Sequence, residues 1–287
     1  MQSIAKDIFI ETEYPGVTLG VIILTHGLVQ IDAPPSPEDA RIWRAALLSL
    51  GGGSERLLVN LDAHPDRTLG ARAMDCTVVA HEKTAQVFRS RPNTFKAQGE
   101  DTGADWESIP GLGNIRWILP EITFSHQMSL HWDENAPIVL EHHPGPSAGA
   151  TWAILPEEKV VFVGDAVLRN QPPFLAGADL PAWLETLKLL LSPTYRGWLV
   201  VSGRGGLVNA ETIRTQRDYL DQVLSKLEKL ALKKSPPDAV ESLVTPLLSS
   251  FKIPASRHQK YSQRLRYGLY HYYSRHYHLA SNAAEEE

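Results

Sequence analysis

The chain is 287 residues long, with 43% hydrophobic and 21% charged residues, a balance that excludes a disordered, collagen-like or wholly coiled-coil protein. Against 33 Asp and Glu stand 28 Lys and Arg, so the formal charge is only -5, which argues against a nucleic-acid surface spread over the whole molecule. The single cysteine, Cys76, can build neither an internal disulfide nor a cysteine metal cluster, so any metal must rest on the 11 histidines and the carboxylates.

The N-terminus, MQSIAKDIFIETEYPG, lacks the apolar core of a signal peptide, and no run of about 18 apolar residues occurs. A soluble, cytoplasmic protein is the expectation. Val17 to Leu24 and Leu28 to Asp32 read as two strands joined at Thr25-His26-Gly27. Ser36, Pro37 and Asp39 form a capping pattern that starts a helix through Trp43 and Leu47, and Gly51-Gly52-Gly53 ends it. Arg56 to Leu61 is a buried strand leading into Asp62-Ala63-His64-Pro65-Asp66-Arg67, and Cys76 to Ala80 is another, followed by a short helix from His81 to Arg89.

After a connection rich in glycine and acids, four strands are expected at Ile115–Leu119, Met128–Trp132, Pro137–His142 and Thr151–Leu155, with a fifth at Lys159–Val163 ending in Gly164-Asp165. A helix over Asp179–Leu191 and a strand over Trp198–Val201 complete the mixed part, which closes at Ser202-Gly203-Arg204-Gly205-Gly206. Beyond Asn209 the periodicity is helical only, with helices over Glu211–Leu232, Asp238–Phe251 and Ser256–Leu279. The domain reading is therefore 1–206 as an α/β domain, 207–280 as a helical extension packed on it, and 281–287 as a frayed, disordered tail.

Several strands end in a polar residue or a glycine turn: Asp32, Asp62–Arg67, Pro144–Gly149, Asp165 and Ser202–Gly206. Functional groups gathered at strand ends on one rim are a common way to build a site. In order and spacing these motifs, covering about residues 17–206, resemble the metallo-β-lactamase superfamily. The resemblance implies a four-layer αββα sandwich whose sheet edges hold one or two metal ions that activate water. The family turn His-x-His-x-Asp-His aligns with Asp62, Ala63, His64, Pro65, Asp66 and Arg67, so two of three histidines are replaced. Pro144-Gly145-Pro146 stands where the family has Pro-Gly-His, Asp165 matches the bridging aspartate, and Arg204 replaces the last expected histidine.

Two consequences stay open at this level. Asp62, His64, Asp66 and Asp165 offer ligands for one divalent ion, Mn²⁺, Fe²⁺, Mg²⁺ or Zn²⁺, the carboxylate-rich set favouring the first three. On that reading the protein is a mononuclear hydrolase of esters, thioesters or lactones, with Asp66 or His64 managing protons. Alternatively, Arg67 and Arg204 replace the metal charge by pairing with Asp165, Asp62 or Asp66, because neighbouring carboxylates cannot all stay ionised uncompensated. The centre is then empty of metal, and its arginine-filled cleft binds an anionic ligand or serves a structural role.

His26, His143 and Ser147 are candidate substrate contacts, each weighed against a structural role. Gly145-Pro146-Ser147-Ala148-Gly149 nearly meets a nucleophile-elbow pattern, but a strand follows where an elbow needs a helix. His81 reads as a cap or a surface residue, His126 and His131 as flanking a strand, and Cys76 as a buried inert thiol. In the last helix, Arg257, Lys260, Arg264, Arg266 and Arg275 interleave with tyrosines. The expectation there is an amphipathic helix with its basic face in water and no nucleic acid bound. A small-molecule substrate or anionic ligand is the expected partner, with no membrane; the oligomeric state is left open.

Overall fold

The computed structural model describes residues 1–95, 102–132 and 137–278; the expected tail at 281–287 lies outside the described residues. The first sheet joins β1 (Gln2–Ala5), β2 (Ile8–Glu11), β3 (Leu19–Ile23), β4 (Gly27–Ile31), β5 (Glu55–Asn60) and β6 (Thr77–His81) in sequence order. A two-stranded ribbon, β7 (Thr94–Phe95) with β8 (Ile115–Arg116), precedes β9 (Ile122–Phe124), which closes the first sheet beside β6. The second sheet runs β10 (Gln127–Leu130), β11 (Ile138–His142), β12 (Thr151–Leu155), β13 (Val160–Phe162), β14 (Leu199–Ser202) and β15 (Gly206–Val208).

Both sheets are mixed. β4, β5 and β6 pair in parallel, as do β13 and β14, and their runs of Val, Leu and Ile are covered on both faces, as parallel strands require. Ile31, Val59 and Val79 of the first sheet share one core with Leu140, Ala153, Phe162 and Val201 of the second, which places the sheets face to face. At Gly20 a Cβ would come within 2.5 Å of Phe162, so the facing strands approach as closely as only glycine permits.

Helices cover the outer faces, giving the αββα layers that the motif order implies. Helix α1 (Pro37–Leu47) starts at Ser36, whose hydroxyl oxygen accepts from the Asp39 amide at 3.1 Å, and it buries Ala40, Trp43 and Leu47 on the first sheet beside Val21, Leu58 and Val78. The single turn α2 (Pro65–Thr68) follows β5, and α3 (Glu82–Ser90) follows β6 with His81 as its cap. Against the second sheet pack α4 (Leu180–Leu190), α5 (Ala210–Leu232), α6 (Glu241–Leu248) and α7 (Ala255–Tyr273). Trp152 and Val161 share a continuous core with Trp183, Leu187, Ile213, Leu220, Leu265 and Leu269, so these helices form one apolar body with the sheet. Among the described residues no helix is long and apolar enough to cross a membrane.

The expected strands and helices are found with shifted ends; β1, β2, β7, β9, β15 and the single turn α2 are additional to them. The apolar runs of β1 and β2, Ser3-Ile4-Ala5 and Ile8-Phe9-Ile10, are only three residues each.

Candidate functional site

Four strand ends converge on one rim. β4 ends at Asp32, β5 runs on into Asp62 and α2, β13 leads to Asp165, and β14 to Arg204. Arg67, fully buried on α2, lies among three carboxylates. Its Nη1 donates to Asp32 Oδ2 at 3.2 Å, its Nη2 to Asp165 Oδ1, and its Nε lies 3.2 Å from Asp62 Oδ1 without hydrogen-bond alignment. Arg204 comes from the other sheet: its Nε is 3.1 Å from both Asp165 oxygens, its Nη1 donates to Asp66 Oδ2 at 2.5 Å, and its Nη2 to His64 Nδ1 at 3.0 Å.

The backbone is shaped to admit these guanidinium groups. Asp32 adopts a left-handed φ of 60°, and its Oδ1 accepts from the Leu61 amide at 2.9 Å, tying β4 to β5. At Gly203 a Cβ would stand 2.8 Å from Arg67 Nη2 and 2.7 Å from the Gly164 carbonyl carbon, so no larger residue fits there.

Charge sharing sorts the carboxyl groups. Burial disfavours ionisation of Asp165, but Arg204 and then Arg67 outweigh it and hold that carboxyl below its ordinary range. Burial dominates at Asp32, whose pKa rises to about 7 despite Arg67. It also raises Asp62 and Asp66 against the attraction of Arg67 and Arg204 respectively. His64 is pushed well below its usual value, first by burial and then by Arg204, so the imidazole is neutral. Its Nδ1 accepts from Arg204 and, at 3.3 Å, from the Asp66 amide, which leaves the proton on Nε2.

A second set of charges ties α7 to this centre. Asp105 takes Arg257 Nη1 at 2.5 Å, Lys260 Nζ at 3.3 Å and Arg264 Nη2 at 3.4 Å, with Arg204 Nη1 at 3.7 Å. Arg264 is 1% exposed and also donates to the Gly103 carbonyl at 3.0 Å and to Gln171 Oε1 at 2.8 Å. Phe174 lies between the guanidinium carbons of Arg264, 4.0 Å from its ring centre, and Arg204, 4.5 Å away. The expected solvated basic face of this helix is thereby corrected: its N-terminal half directs Arg257, Lys260 and Arg264 onto the buried Asp105, with Arg264 fully enclosed and Arg257 still part-exposed.

Beside the network opens a cavity of about 450 Å³. Asp62, His64 and Asp165 reach its wall, as does Ser147, whose buried Oγ has no hydrogen-bond partner among the described residues. Most of the wall is apolar, including Trp106, Phe174 and Trp183, and α7 contributes Arg264, Tyr267 and Gly268. Arg67 and Arg204 stand behind this wall, enclosed by carboxylates.

Two expected contacts are elsewhere. His26 is exposed in the β3–β4 turn, at the far end of β4 from Asp32, roughly 17 Å of strand away. His143 stacks on Trp152 at 3.9 Å and bonds Glu141 Oε2 at 3.1 Å, outside the cavity lining. Its neighbour His142 stacks at 3.8 Å on the buried cap His81. Cys76 is half-buried, and desolvation pushes its thiol up to about 11, as an inert thiol requires. The residues that sequence reading missed are the Asp32 carboxylate as a partner, Asp105, Arg264, Phe174 and Arg91. Asp105 and Arg264 are 159 positions apart, and no local pattern links them.

A metal ion does not fit these residues as they stand. Asp66 spends both oxygens, on Arg204 and on the Trp106 amide at 2.6 Å, and Asp165 spends both on arginines. His64 turns its Nδ1 lone pair to Arg204. Among the described residues no group of three or more His, Cys, Asp or Glu side chains is arranged to hold an ion. Asp62, His64, Asp66 and Asp165 are neighbours, but guanidinium groups occupy Asp66, Asp165 and the Nδ1 of His64, the directions a shared cation would need.

No family model and no curated relative matches the sequence. Solved structures do. A metallo-β-lactamase from Pontibacter korlensis is 18% identical at a TM-score of 0.62, covering 77% of this chain and 97% of that one. The stereoselective inverting sec-alkylsulfatase Pisa1 from Pseudomonas sp. is 16% identical at a TM-score of 0.66, covering 99% of this chain, which spans 51% of the sulfatase. At these identities the likeness is one of fold, and the fold is that of the metallo-β-lactamases.

Proposed function

Proceeding from a metallo-β-lactamase fold with a hydrolase-like cleft, we propose that this protein binds a small molecule in the cavity at the rim and does so without a resident metal ion. One observation carries the reading: Asp62, Asp66 and Asp165 direct their charge onto Arg67 and Arg204, which are themselves buried and hydrogen-bonded. A guanidinium has five donors and no lone pair, so it compensates carboxylates and ligates nothing. Hydrolysis through an ion needs the same carboxylates to converge on that ion, and the arrangement gives no step of that kind. The two arginines serve as fixed internal cations, and the cavity next to them is the part open to a ligand. Its single cysteine suits a reducing compartment, and we place the protein in the cytoplasm.

The test is metal analysis of protein purified without chelator and then offered Zn²⁺, Mn²⁺ and Fe²⁺ in excess. The expected result is a content well below one equivalent of each, with a thermal midpoint unchanged by EDTA. A stoichiometric ion that is lost in Asp165→Ala would overturn the reading.

A further inference from the structure

We infer that the ligand of this cavity is an amphipathic anion, its oxyanion head held by Arg91, Ser147 and the Nε2–H of His64 and its apolar body by the aromatic wall; this rests on the metal-free binding role proposed above. The three groups belong to different elements, yet all line the one cavity. Arg91 follows α3 and donates through Nη1 to the Ala63 carbonyl at 2.9 Å. Its guanidinium carbon is held 4.8 Å over the Trp117 ring and 5.6 Å over Phe88. No carboxylate of the described residues lies within ion-pair distance of it. The other arginines at this rim, Arg67, Arg204, Arg257 and Arg264, are each paired with an aspartate.

The hydroxyl of Ser147 is buried without a partner, and the tautomer imposed on His64 presents Nε2–H, which also lacks one among the described residues. Buried donors without acceptors are costly and uncommon. Ser147 Oγ is such a donor, and with the His64 Nε2–H and the Arg91 guanidinium on the same cavity it calls for a group made of acceptors only; an oxyanion, with several lone pairs and a charge opposite to Arg91, is that group. A cationic ligand would face the same donors and gain nothing from them. Of the acids on the wall, Asp165 is paired with Arg67 and Arg204, and Asp62 with Arg67; the charge of Asp62 also bears on Arg91, but from beyond ion-pair distance, which leaves the guanidinium without a contacting carboxylate among the described residues. The remaining lining, with Val87, Pro65, Trp106, Phe174 and Trp183, suits an alkyl or aryl body, and 450 Å³ is ample for one.

Carboxylate, phosphate monoester and sulfonate share this chemistry, and a matched series tells them apart. Octanoate, octyl phosphate and octanesulfonate are titrated into the full chain, with octan-1-ol and octylammonium as controls, and binding is read by calorimetry and by the fluorescence of Trp106 and Trp183. At least one anion is expected to bind about tenfold or more tightly than either control, and Arg91→Gln to weaken it about tenfold or more with octanol unaffected. Ser147→Ala is expected to give a smaller loss of the same selectivity. Equal binding of octylammonium, an anion affinity unchanged in Arg91→Gln, or no binding by any of the five would overturn the inference. Metal content measured on the same samples separates the two proposals. Lack of anion selectivity in metal-free protein defeats the ligand assignment alone, whereas an anion that binds only with a stoichiometric ion, and is released by EDTA, defeats the metal-free reading.

Discussion

Arg67 shows how much one residue holds in place. It is fully enclosed and faces Asp32, Asp62 and Asp165 at once. Removing one partner of a buried ionic group leaves the others uncompensated, which costs about 3–5 kcal/mol. Arg67→Met is accordingly expected to lower the unfolding free energy by about that amount in urea denaturation, although its apolar stem is retained. Asp32 gives a second prediction, with a sign that differs from the usual carboxylate. Its folded pKa, about 7, lies above the ordinary value of 3.8. Such a group contributes stability that is full below its unfolded pKa and is lost as pH rises through the folded one. Asp32→Asn cannot ionise, so the stability of the variant relative to the parent is expected to rise between about pH 4 and 7 and to level off above. Asp165, held low, acts oppositely, its contribution being lost only as pH falls below the ordinary carboxylate range. Melts of Asp32→Asn between about pH 4 and 7, and of Asp165→Asn below about pH 4, check both signs. The charge pairing at this scale was legible because acids and arginines stood at aligned strand ends. Asp32 and Asp105 as partners were not, since each meets its arginine only through tertiary contact.

Among the elements, α7 depends most on the centre. Its Arg257, Lys260 and Arg264 all end on Asp105, which lies in the loop beside Trp106, and Tyr267 and Gly268 then wall the cavity. Asp105→Asn removes the negative charge that draws the helix in. Amides of 255–273 are expected to exchange faster in this variant, while those of β4, β5 and β13 keep their protection; equal protection of α7 would show that apolar packing alone seats it. The helical pattern of Tyr261, Leu265, Leu269 and Tyr272 was readable from spacing, and those residues are buried. The facing of the polar stripe was not readable, because periodicity gives a face and not its partner. Capped helices were the most legible elements: Ser36 and Asp179 cap α1 and α4 through their side chains. Short strands such as β1, at the sheet edge, and β2 beside it carry too few residues for alternation to show.

At the scale of the molecule, the outer helices and the second sheet are inseparable in the core. Trp152, Val161 and Trp183 pack in the same body as Leu220, Leu227 and Leu269. A chain ending at residue 209 would expose that face, so it is expected to lose near-ultraviolet dichroism and cooperative unfolding and to bind a hydrophobic dye. The layer order was legible from motif spacing, while the reach of the last helix across to Asp105 was not, because it joins residues more than 150 positions apart. The closed charge network also constrains how such a protein changes over generations. Each of Asp32, Asp62, Asp66, Asp165, Arg67 and Arg204 is buried and answers to another member, and at Asp165 and the two arginines a lone substitution strands a charge. Variation at this rim is therefore expected to arrive in coupled steps, with the six residues changing together and the cavity wall beside them tolerating single changes.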